Sequence, residues 1–274
     1  MKTAVITGGN SGIGKATATE LAKQGYRVII HGRDPVKTKE AAGEIKTKSG
    51  NSNIEYLSAD ISSLSGIKEL VDGIKEKTNT INTLVLSTGA ILTKHIITKD
   101  GLEAGFVIQY LSRFALAELL MPQLRNGNAR IVMVGAPLLK TAKIFLDDLA
   151  LKKNFTMIKA LGQEMYANHL FVQEFGKRHP DNRVVINMAH VGLAKTGIMR
   201  DSNFLLRMMV KLFGTSPEAA AGNFVFLASN DKAHFSGYFL KKPGKPSIKE
   251  KIQLDAALAE KLWDKSLALI KPIH

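Results

Sequence analysis

The chain of 274 residues contains no cysteine. Disulfide bonds, cysteine-ligated zinc sites and thiol catalysis are therefore excluded, and no metal site is predicted. The sequence also lacks a run of about 18 apolar residues, so we expect no transmembrane helix. The apolar run 4–6 leads directly into a glycine-rich turn, which is not the pattern of a secretory signal peptide. These absences favour a cytoplasmic protein.

Acidic residues are scarce: 24 Asp and Glu stand against 38 Lys and Arg, which gives a formal net charge of +14. Such a charge favours anionic partners, among them a phosphorylated cofactor, an acidic substrate or an anionic membrane. The basic residues are scattered along the polar faces of predicted helices, which is typical of a solvated surface. Because no motif with interleaved aromatic residues appears, we expect no nucleic-acid binding.

Strand-like apolar segments alternate with helical segments along the whole chain. This rhythm predicts an α/β fold, a Rossmann-type doubly wound parallel sheet flanked by helices on both faces. No linker or internal repeat is evident, so residues 1–274 are predicted to form one domain. We predict strands at 3–7, 27–30, 54–58, 81–86, 130–134, 183–188 and 237–240. We predict helices at 12–25, 36–46, 62–77, 102–124, 156–177, 217–228 and 255–269.

A glycine-rich turn lies between the first predicted strand and the first predicted helix. Glycine lets the backbone approach a pyrophosphate closely, and the helix N-terminus offers N–H groups and the positive end of its dipole. A glycine motif in this strand–turn–helix context is strong evidence for a dinucleotide site. The predicted cofactor-binding residues of this turn are Gly8, Asn10, Ser11, Gly12, Ile13 and Gly14.

The end of the second strand indicates which dinucleotide is bound. NAD-binding proteins usually carry an acid here for the ribose 2′-hydroxyl, but this chain has Gly32 followed by Arg33. A guanidinium can pair with a 2′-phosphate in a bidentate manner, which favours NADP(H). Lys15 and His31 could add to the positive field. The alternative is that Arg33 is an ordinary surface arginine.

With these motifs the chain resembles the short-chain dehydrogenase/reductase superfamily, and within it the retinol-dehydrogenase-like branch. The turn matches the pattern TGxxxGIG, and further branch-like segments lie at 98–103, 120–122, 167–171, 190–192 and 216–220. The resemblance implies that Asp60, with Ile61, holds the adenine amine, that Gly89 follows the fourth strand in the cofactor site, and that Thr196 contacts the nicotinamide amide.

The same resemblance implies that the family's catalytic residues are missing. The active-site Asn aligns with Gln109, the catalytic Ser with Ala136, and the Tyr and Lys of YxxxK with Leu161 and Met165. These replacements turn a polar catalytic floor into an apolar one and remove the family's general acid and its oxyanion donor. An alternative register would place the YxxxK pair at Phe155 and Lys159, which still lacks the tyrosine.

Other residues could supply chemistry in place of the missing set. Glu164 is three residues after Leu161 and shares roughly its helix face, so it is a weak catalytic candidate; the alternative is an exposed helix glutamate. Gln109 could hydrogen-bond a substrate, or be a structural amide. Lesser candidates for substrate contact are Lys140, Lys143, Asp147, Asp148, His95, His169 and His190.

The segment 193–216 is predicted to be a substrate lid, as the resemblance implies. Within it, 203–213 is apolar and rich in methionine, which suits a bulky lipophilic ligand. The alternatives are a peripheral membrane contact, because Arg207 and Lys211 flank the apolar face, and plain core packing.

Three functions are compatible with these observations. The first is an oxidoreductase, or a cyclase or isomerase, that acts on a bulky lipophilic molecule without the Ser-Tyr-Lys mechanism. The second is a catalytically inactive sensor, scaffold or hetero-oligomer partner that binds the cofactor, and the third is an ordinary reductase whose catalytic groups lie elsewhere. The resemblance also implies a homodimer or homotetramer in which the helices 102–124 and 156–177 form the interface.

Overall fold

A computed structural model describes residues 1–192, 216–242, 245–246 and 248–274. Its strands are β1 (Thr3–Thr7), β2 (Arg27–Gly32), β3 (Ile54–Ser58), β4 (Thr83–Leu86), β5 (Arg130–Gly135), β6 (Val185–His190), β7 (Tyr238–Leu240) and β8 (Lys249–Lys251). Its helices are α1 (Gly12–Lys23), α2 (Pro35–Ser49), α3 (Leu64–Lys77), α4 (Ala104–Phe106), α5 (Ser112–Leu119), α6 (Met121–Asn126), α7 (Met157–Arg178), α8 (Pro217–Ser229) and α9 (Ala256–Ile270).

The strands form one sheet in the order β3-β2-β1-β4-β5-β6-β7-β8. All neighbouring strands pair in parallel except β7 and β8, which pair antiparallel. The direction of strand succession reverses between β1 and β4. In doubly wound sheets this reversal opens a crevice beyond the carboxyl ends of the strands, where ligands bind. The predicted Rossmann-type fold is therefore confirmed.

Two apolar layers cover the two faces of the sheet. One layer packs α1, α2 and α8 against the sheet, and the other packs α3, α5, α7 and α9 against the opposite face. The strands that contribute to both layers are almost wholly apolar, as expected for parallel strands buried on both sides. Burial of these two layers against one sheet fixes the positions of the turns at its carboxyl edge.

Local capping chemistry sets where several helices begin. The side chains of Asp34, Ser63, Thr156, Ser216 and Asp255 each accept a hydrogen bond from a backbone N–H of the first turn that follows. Such bonds satisfy donors that have no partner within the helix. The helix starts are therefore encoded locally, within two residues of the predicted positions.

The predicted helix 102–124 is not continuous. It consists of α4, a π-helical segment Val107–Leu111, α5 and α6, with Leu120 between the last two. Pro122 follows that break, where its missing N–H costs least. The π segment widens one turn of the helix at Gln109, a distortion that is frequent at functional sites.

α9 of the same chain covers part of α5 and α7, which lie within the two helices that the resemblance predicts at a dimer interface. Phe114, Phe171 and Phe175 are buried, and the first two have ring centroids 5.0 and 5.7 Å from that of Trp263. The Tyr110 hydroxyl is 2.7 Å from the Ser266 hydroxyl, which ties α9 to the π segment. An interface on these helices would have to lie outside the part that α9 covers, and both the interface and the oligomeric state stay predictions.

Candidate cofactor and active site

The glycine turn joins β1 to α1 at the strand-order reversal. Gly8 and Gly12 have positive φ angles of 66° and 52°, which L side chains rarely adopt. A β-carbon at Gly14 would lie 2.4 Å from the carbonyl oxygen of Gly8, so only glycine lets this turn close. Ser11 is the N-cap of α1 and makes no side-chain capping bond. The first N–H groups of α1 therefore have no side-chain cap and are available to an anion such as a pyrophosphate.

The loop after β4 is fixed against this turn. The Ser87 hydroxyl donates to the Thr7 carbonyl oxygen at 2.5 Å, and the Ser87 N–H donates to the Thr7 hydroxyl at 3.2 Å. A β-carbon at Gly8 would lie 3.1 Å from the backbone of Thr88, so the two loops are in close contact. Gly89 follows, half-buried, at the rim of the crevice. Both walls of the predicted cofactor site are thus held at the carboxyl edge.

The end of β2 leaves no room for the acid that NAD-binding proteins carry there. A β-carbon at Gly32 would lie 2.4 Å from the Thr38 hydroxyl and 2.7 Å from the Asn10 side-chain carbon. Arg33, the next residue, is exposed, and it has no hydrogen bond or ion pair with the described part of the chain. Its guanidinium is available to an anionic group.

The other two cations predicted at this end contribute less. Lys15 forms an ion pair with Glu44 at 2.5 Å. His31 is buried, its Nε2 atom is 3.0 Å from the Ala59 carbonyl oxygen, and burial lowers the pKa of its ring. Because a buried neutral imidazole carries no charge, the prediction that His31 adds to the positive field is wrong.

Asp60 and Ile61 follow β3 at the same edge. The Asp60 side chain is exposed and accepts a hydrogen bond from the Ser62 N–H at 3.1 Å. Ile61 is buried in the apolar layer, so only its backbone is available to a ligand. Thr196 and the predicted lid 193–216 lie outside the described residues, apart from Ser216, which caps α8.

Three of the predicted catalytic positions lie just after the last residue of β5 and near the start of α7. Ala136 follows β5 directly and is half-buried, as are Leu161 and Met165, which share one face of α7 at a spacing of four residues. In the alternative register, Phe155 precedes α7 and stacks on the ring of His95 with centroids 4.5 Å apart. Lys159 is exposed. That pair therefore does not share one helix face.

A buried polar cluster connects α7 to the π segment. It consists of Glu103, Gln109, Arg113, Glu164 and Asn168. The Gln109 amide nitrogen donates to the Glu164 carboxylate, and Arg113 donates to the Asn168 amide oxygen at 3.2 Å. Glu164 is only 4% exposed, so the interpretation of an exposed helix glutamate is wrong.

Burial and charge shift the acidity of this cluster. Burial, reinforced by the neighbouring Glu103, raises the pKa of the Glu164 carboxyl to about 9. Burial lowers the pKa of the Arg113 guanidinium to about 10, although Glu164 opposes this shift. Glu164 is therefore neutral and able to donate a proton near pH 7. Sequence reasoning missed Glu103, Arg113 and Asn168; the signal available was an arginine within the otherwise apolar helix 102–124.

The remaining candidates are mostly engaged in local structure. The His95 Nε2 atom is 2.7 Å from the Ala150 carbonyl oxygen, and the His169 Nδ1 atom is 2.9 Å from that of Met165. The Asp148 carboxylate accepts the N–H groups of the nearby residues 152 and 153. Lys140, Lys143 and Asp147 are exposed, and His190 is half-buried at the end of β6.

A cavity of about 550 Å³ lies at the opposite edge of the sheet. It is bounded by α7 and by the starts of β6 and β7, with Gln173, His234 and Lys251 in its lining. Ligands of doubly wound sheets bind beyond the carboxyl ends of the strands, and this cavity lies at the amino ends. We therefore place the candidate site at the crevice beside the glycine turn.

Two features bear on metals and membranes in the described residues. Within them, no group of three or more His, Cys, Asp or Glu is arranged to hold a metal ion. No helix in these same ranges has the length and apolarity that a membrane crossing requires.

Comparison with known sequences identifies the family. A family model described as short chain dehydrogenase matches residues 2–142, just over half of the chain. Retinol dehydrogenase 12 of Bos taurus is 30% identical, with 98% of this chain and 86% of that protein covered. Polyprenol dehydrogenase of Homo sapiens is 27% identical, with 97% and 84% covered.

Solved structures share the fold over most of the chain. A citronellol catabolism dehydrogenase of Pseudomonas aeruginosa PAO1 has a TM-score of 0.66 and 25% identity, with 90% of this chain and 95% of that one covered. A short chain dehydrogenase of Burkholderia cenocepacia J2315, in complex with NADP, has a TM-score of 0.69 and 18% identity, with 89% and 96% covered. The chain thus belongs to the short chain dehydrogenase family, in its retinol-dehydrogenase-like branch.

Proposed function

We propose that the protein binds NADP(H) across the carboxyl edge of the sheet at the β1/β4 reversal. The glycine turn and the N-terminus of α1 bind the pyrophosphate, Arg33 binds the 2′-phosphate, and Asp60 binds the adenine amine. Gly32 supports NADP(H) over NAD(H), because a side chain there would collide with Asn10 and Thr38. The NADP-bound relative of the same fold is consistent with this choice. Ile61, through its backbone, Gly89 and Thr196 complete the proposed contacts.

We further propose that the ligand is a bulky lipophilic molecule of the isoprenoid type. Relatives and a solved neighbour carry the names retinol, polyprenol and citronellol, which are all isoprenoid alcohols. The floor formed by Ala136, Leu161 and Met165 offers such a molecule apolar contact. Residues 193–216 are proposed to close over it within one domain, 1–274.

The chemistry at this floor differs from that of a Ser-Tyr-Lys enzyme. When bound, NADPH supplies a hydride donor. Leu161 has no proton to give, Met165 has no charge to tune an acid, and Ala136 has no hydroxyl to orient a carbonyl. Such a floor can orient a ligand and exclude water from it, which suits an already activated acceptor such as a conjugated enal. A cyclisation or isomerisation that the pocket shape directs fits the same floor.

This proposal is supported by a glycine turn that is shaped for a dinucleotide, together with apolar residues at the three positions that align with the family's Ser, Tyr and Lys. The same combination favours a second candidate, a catalytically inactive sensor, scaffold or hetero-oligomer partner. For either function we propose a cytoplasmic location, with peripheral membrane contact through 203–213 as the alternative.

Activity assays on the NADPH-loaded protein separate these candidates. We would follow NADPH oxidation with two compounds. Geranylacetone has a ketone that is not conjugated with a double bond, and citral is a conjugated enal. The proposal expects turnover of citral, or its conversion without net oxidation of NADPH, and no turnover of the ketone. Rapid ketone reduction would contradict the proposed floor, and no conversion of either compound would favour the inactive candidate.

A variant that restores the missing groups is the matched control. Ala136→Ser, Leu161→Tyr and Met165→Lys combined should raise ketone reduction by about 10²–10⁴-fold, the usual worth of general acid–base catalysis. An unchanged rate in a folded, NADPH-binding variant would show that these positions are not the catalytic ones.

A further inference from the structure

The buried polar cluster lies directly behind the carboxyl ends of β4 and β5. Arg113 donates to the Thr88 carbonyl oxygen at 2.9 Å and to the Val134 carbonyl oxygen at 2.8 Å. Thr88 follows β4 and Val134 belongs to β5, so the guanidinium marks the edge of the sheet at the proposed site. Gln109 precedes Arg113 by four residues and thus lies about one helical turn farther out, on the same helix face.

Gln109 is also the half-exposed member of this cluster. Its neighbours Val107 and Tyr110 are buried, as are the other four residues of the cluster. The Gln109 side chain therefore lies at the boundary between the buried cluster and its more exposed surroundings. Its amide nitrogen contacts Glu164, whereas its amide oxygen has no hydrogen-bond partner among the described residues.

The backbone around Gln109 is fixed, which leaves the amide as the part that can change. The Asn168 amide nitrogen donates to the Gln109 carbonyl oxygen at 3.0 Å and to the Glu164 carbonyl oxygen at 2.7 Å. The π segment makes this possible, because its widened turn frees a backbone carbonyl for a side-chain donor. Rotation of the terminal amide of Gln109 leaves both of these bonds intact.

We propose that Glu164 is a positioning residue that decides which side of the Gln109 amide faces the ligand. With an ionised Glu164, the amide nitrogen donates to the carboxylate, which is the arrangement in the structure, and the amide oxygen faces the crevice. With a protonated Glu164, the amide turns over: the carboxyl O–H donates to the Gln109 amide oxygen, and the amide N–H₂ group faces the crevice. The proton that distinguishes the two states is exchanged with solvent.

The charges around Glu164 favour the protonated state near neutral pH. The charged groups that face it are the Glu103 carboxylate at the start of α4 and the Arg113 guanidinium of α5. The Glu103 carboxylate accepts the N–H groups of Gly105 and Phe106 at 2.9 and 2.7 Å, so it stays in place close to Glu164. The positive charge of Arg113 can neutralise only one of these two buried carboxyl groups. The three groups together are therefore neutral when Glu164 carries a proton.

This inference rests on the proposed function, because it gives the apolar floor one polar contact. Near pH 7 the Gln109 N–H₂ group would donate to a carbonyl oxygen of the ligand. Such a neutral donor can orient the oxygen and stabilise partial charge there, but it cannot transfer a proton. The contact therefore selects ligands with a carbonyl oxygen over hydrocarbons of the same shape.

Nuclear magnetic resonance of the Gln109 side chain tests the inference without any ligand. We would label glutamine side chains with nitrogen-15 in the NADPH-loaded protein, identify the Gln109 signal by its loss in Gln109→Leu, and titrate from pH 6 to pH 10. The signal should shift in one transition near pH 9, the pKa of Glu164. Glu164→Gln should abolish the transition, whereas Glu174→Gln, at a buried glutamate of the same helix outside the cluster, should retain it. A Gln109 signal without the transition, or one that keeps it in Glu164→Gln, would overturn the inference.

Ligand binding gives the second readout. Geranylacetone should bind the wild-type protein about fivefold more weakly at pH 10 than at pH 7, the worth of one hydrogen bond of about 1 kcal/mol. The hydrocarbon with a methylene in place of the carbonyl should show no such change, and Glu164→Gln should bind the ketone equally at both values. Equal ketone binding by the wild-type protein at both pH values would overturn the inference. If the ketone binds at neither pH, the proposed lipophilic ligand fails, and the Gln109 titration alone decides the inference.

Discussion

The stability of the protein should depend on pH through Glu164. The carboxyl group is buried, and its pKa is raised from 4.5 to about 9 by burial and by Glu103. Glu164→Gln keeps the shape and a neutral amide but cannot titrate. A comparison of the two proteins therefore isolates this one group, and the contribution of other titrating residues, His31 among them, is common to both.

The sign and size follow from the two pKa values. Between pH 4.5 and pH 9 the folded protein binds one more proton at Glu164 than the unfolded chain does. The stabilising contribution is therefore full below about pH 4.5, falls as pH rises, and is lost by about pH 9. The slope is about 1.4 kcal/mol per pH unit, so the free energy of unfolding should fall by about 2.5 kcal/mol between pH 6 and pH 8 from this group alone.

Urea denaturation at pH 6, 7 and 8 measures this difference. The free energy of unfolding of Glu164→Gln, relative to the wild-type protein, should rise by about 2.5 kcal/mol across this range. Glu174→Gln, which disturbs an ion pair with Arg178 outside the cluster, should keep the wild-type pH dependence. Identical pH profiles for the wild-type protein and Glu164→Gln would refute the argument that burial keeps this carboxyl neutral.

Three further predictions concern the cofactor site and the core. Arg33→Ala should weaken NADPH binding roughly 10- to 100-fold in calorimetry and leave NADH binding unchanged, since it removes charge-assisted hydrogen bonds to the 2′-phosphate; equal losses for both would contradict this role. Gly14→Ala should weaken both dinucleotides at least about tenfold, because a β-carbon there collides with the Gly8 carbonyl oxygen, and unaltered binding would show that the turn is not the site. Trp263→Ala should lower the free energy of unfolding by about 3–5 kcal/mol in urea, since it leaves Phe114 and Phe171 against a cavity; a loss below about 1 kcal/mol would contradict the tight packing of α9.

The order of strands and helices could be predicted, because the sequence patterns that mark them are local. The predicted bounds of β1 and β3 agree with the structure, since β1 is a short buried apolar run, β3 is a short segment with Ile54, Tyr56 and Leu57, and polar or glycine-rich residues flank both. The glycine turn was predictable for the same reason: its spacing and its place after a strand are both read from neighbouring residues. The short strand β8 was missed, because its sequence of Lys, Glu and Lys has no apolar pattern.

The buried polar cluster could not be predicted, because it depends on packing between distant segments. Gln109 and Glu164 are 55 positions apart and meet only when the π segment packs on α7. A periodic helical pattern gives no sign of a π turn, and Arg113 within that pattern does not say which carbonyl groups it will reach. The packing of α9 on α5 and α7 is likewise a contact between remote parts of the chain, which the resemblance to the family did not indicate.

The direct test of the NADP(H) site is a titration of the wild-type protein with NADPH and with NADH, followed by the fluorescence of the bound nicotinamide. NADPH should bind saturably and NADH should bind at least about tenfold more weakly, because only NADPH carries the 2′-phosphate that pairs with Arg33. Binding of neither dinucleotide, or tighter binding of NADH, would contradict the claim that this glycine turn and Arg33 form an NADP(H) site.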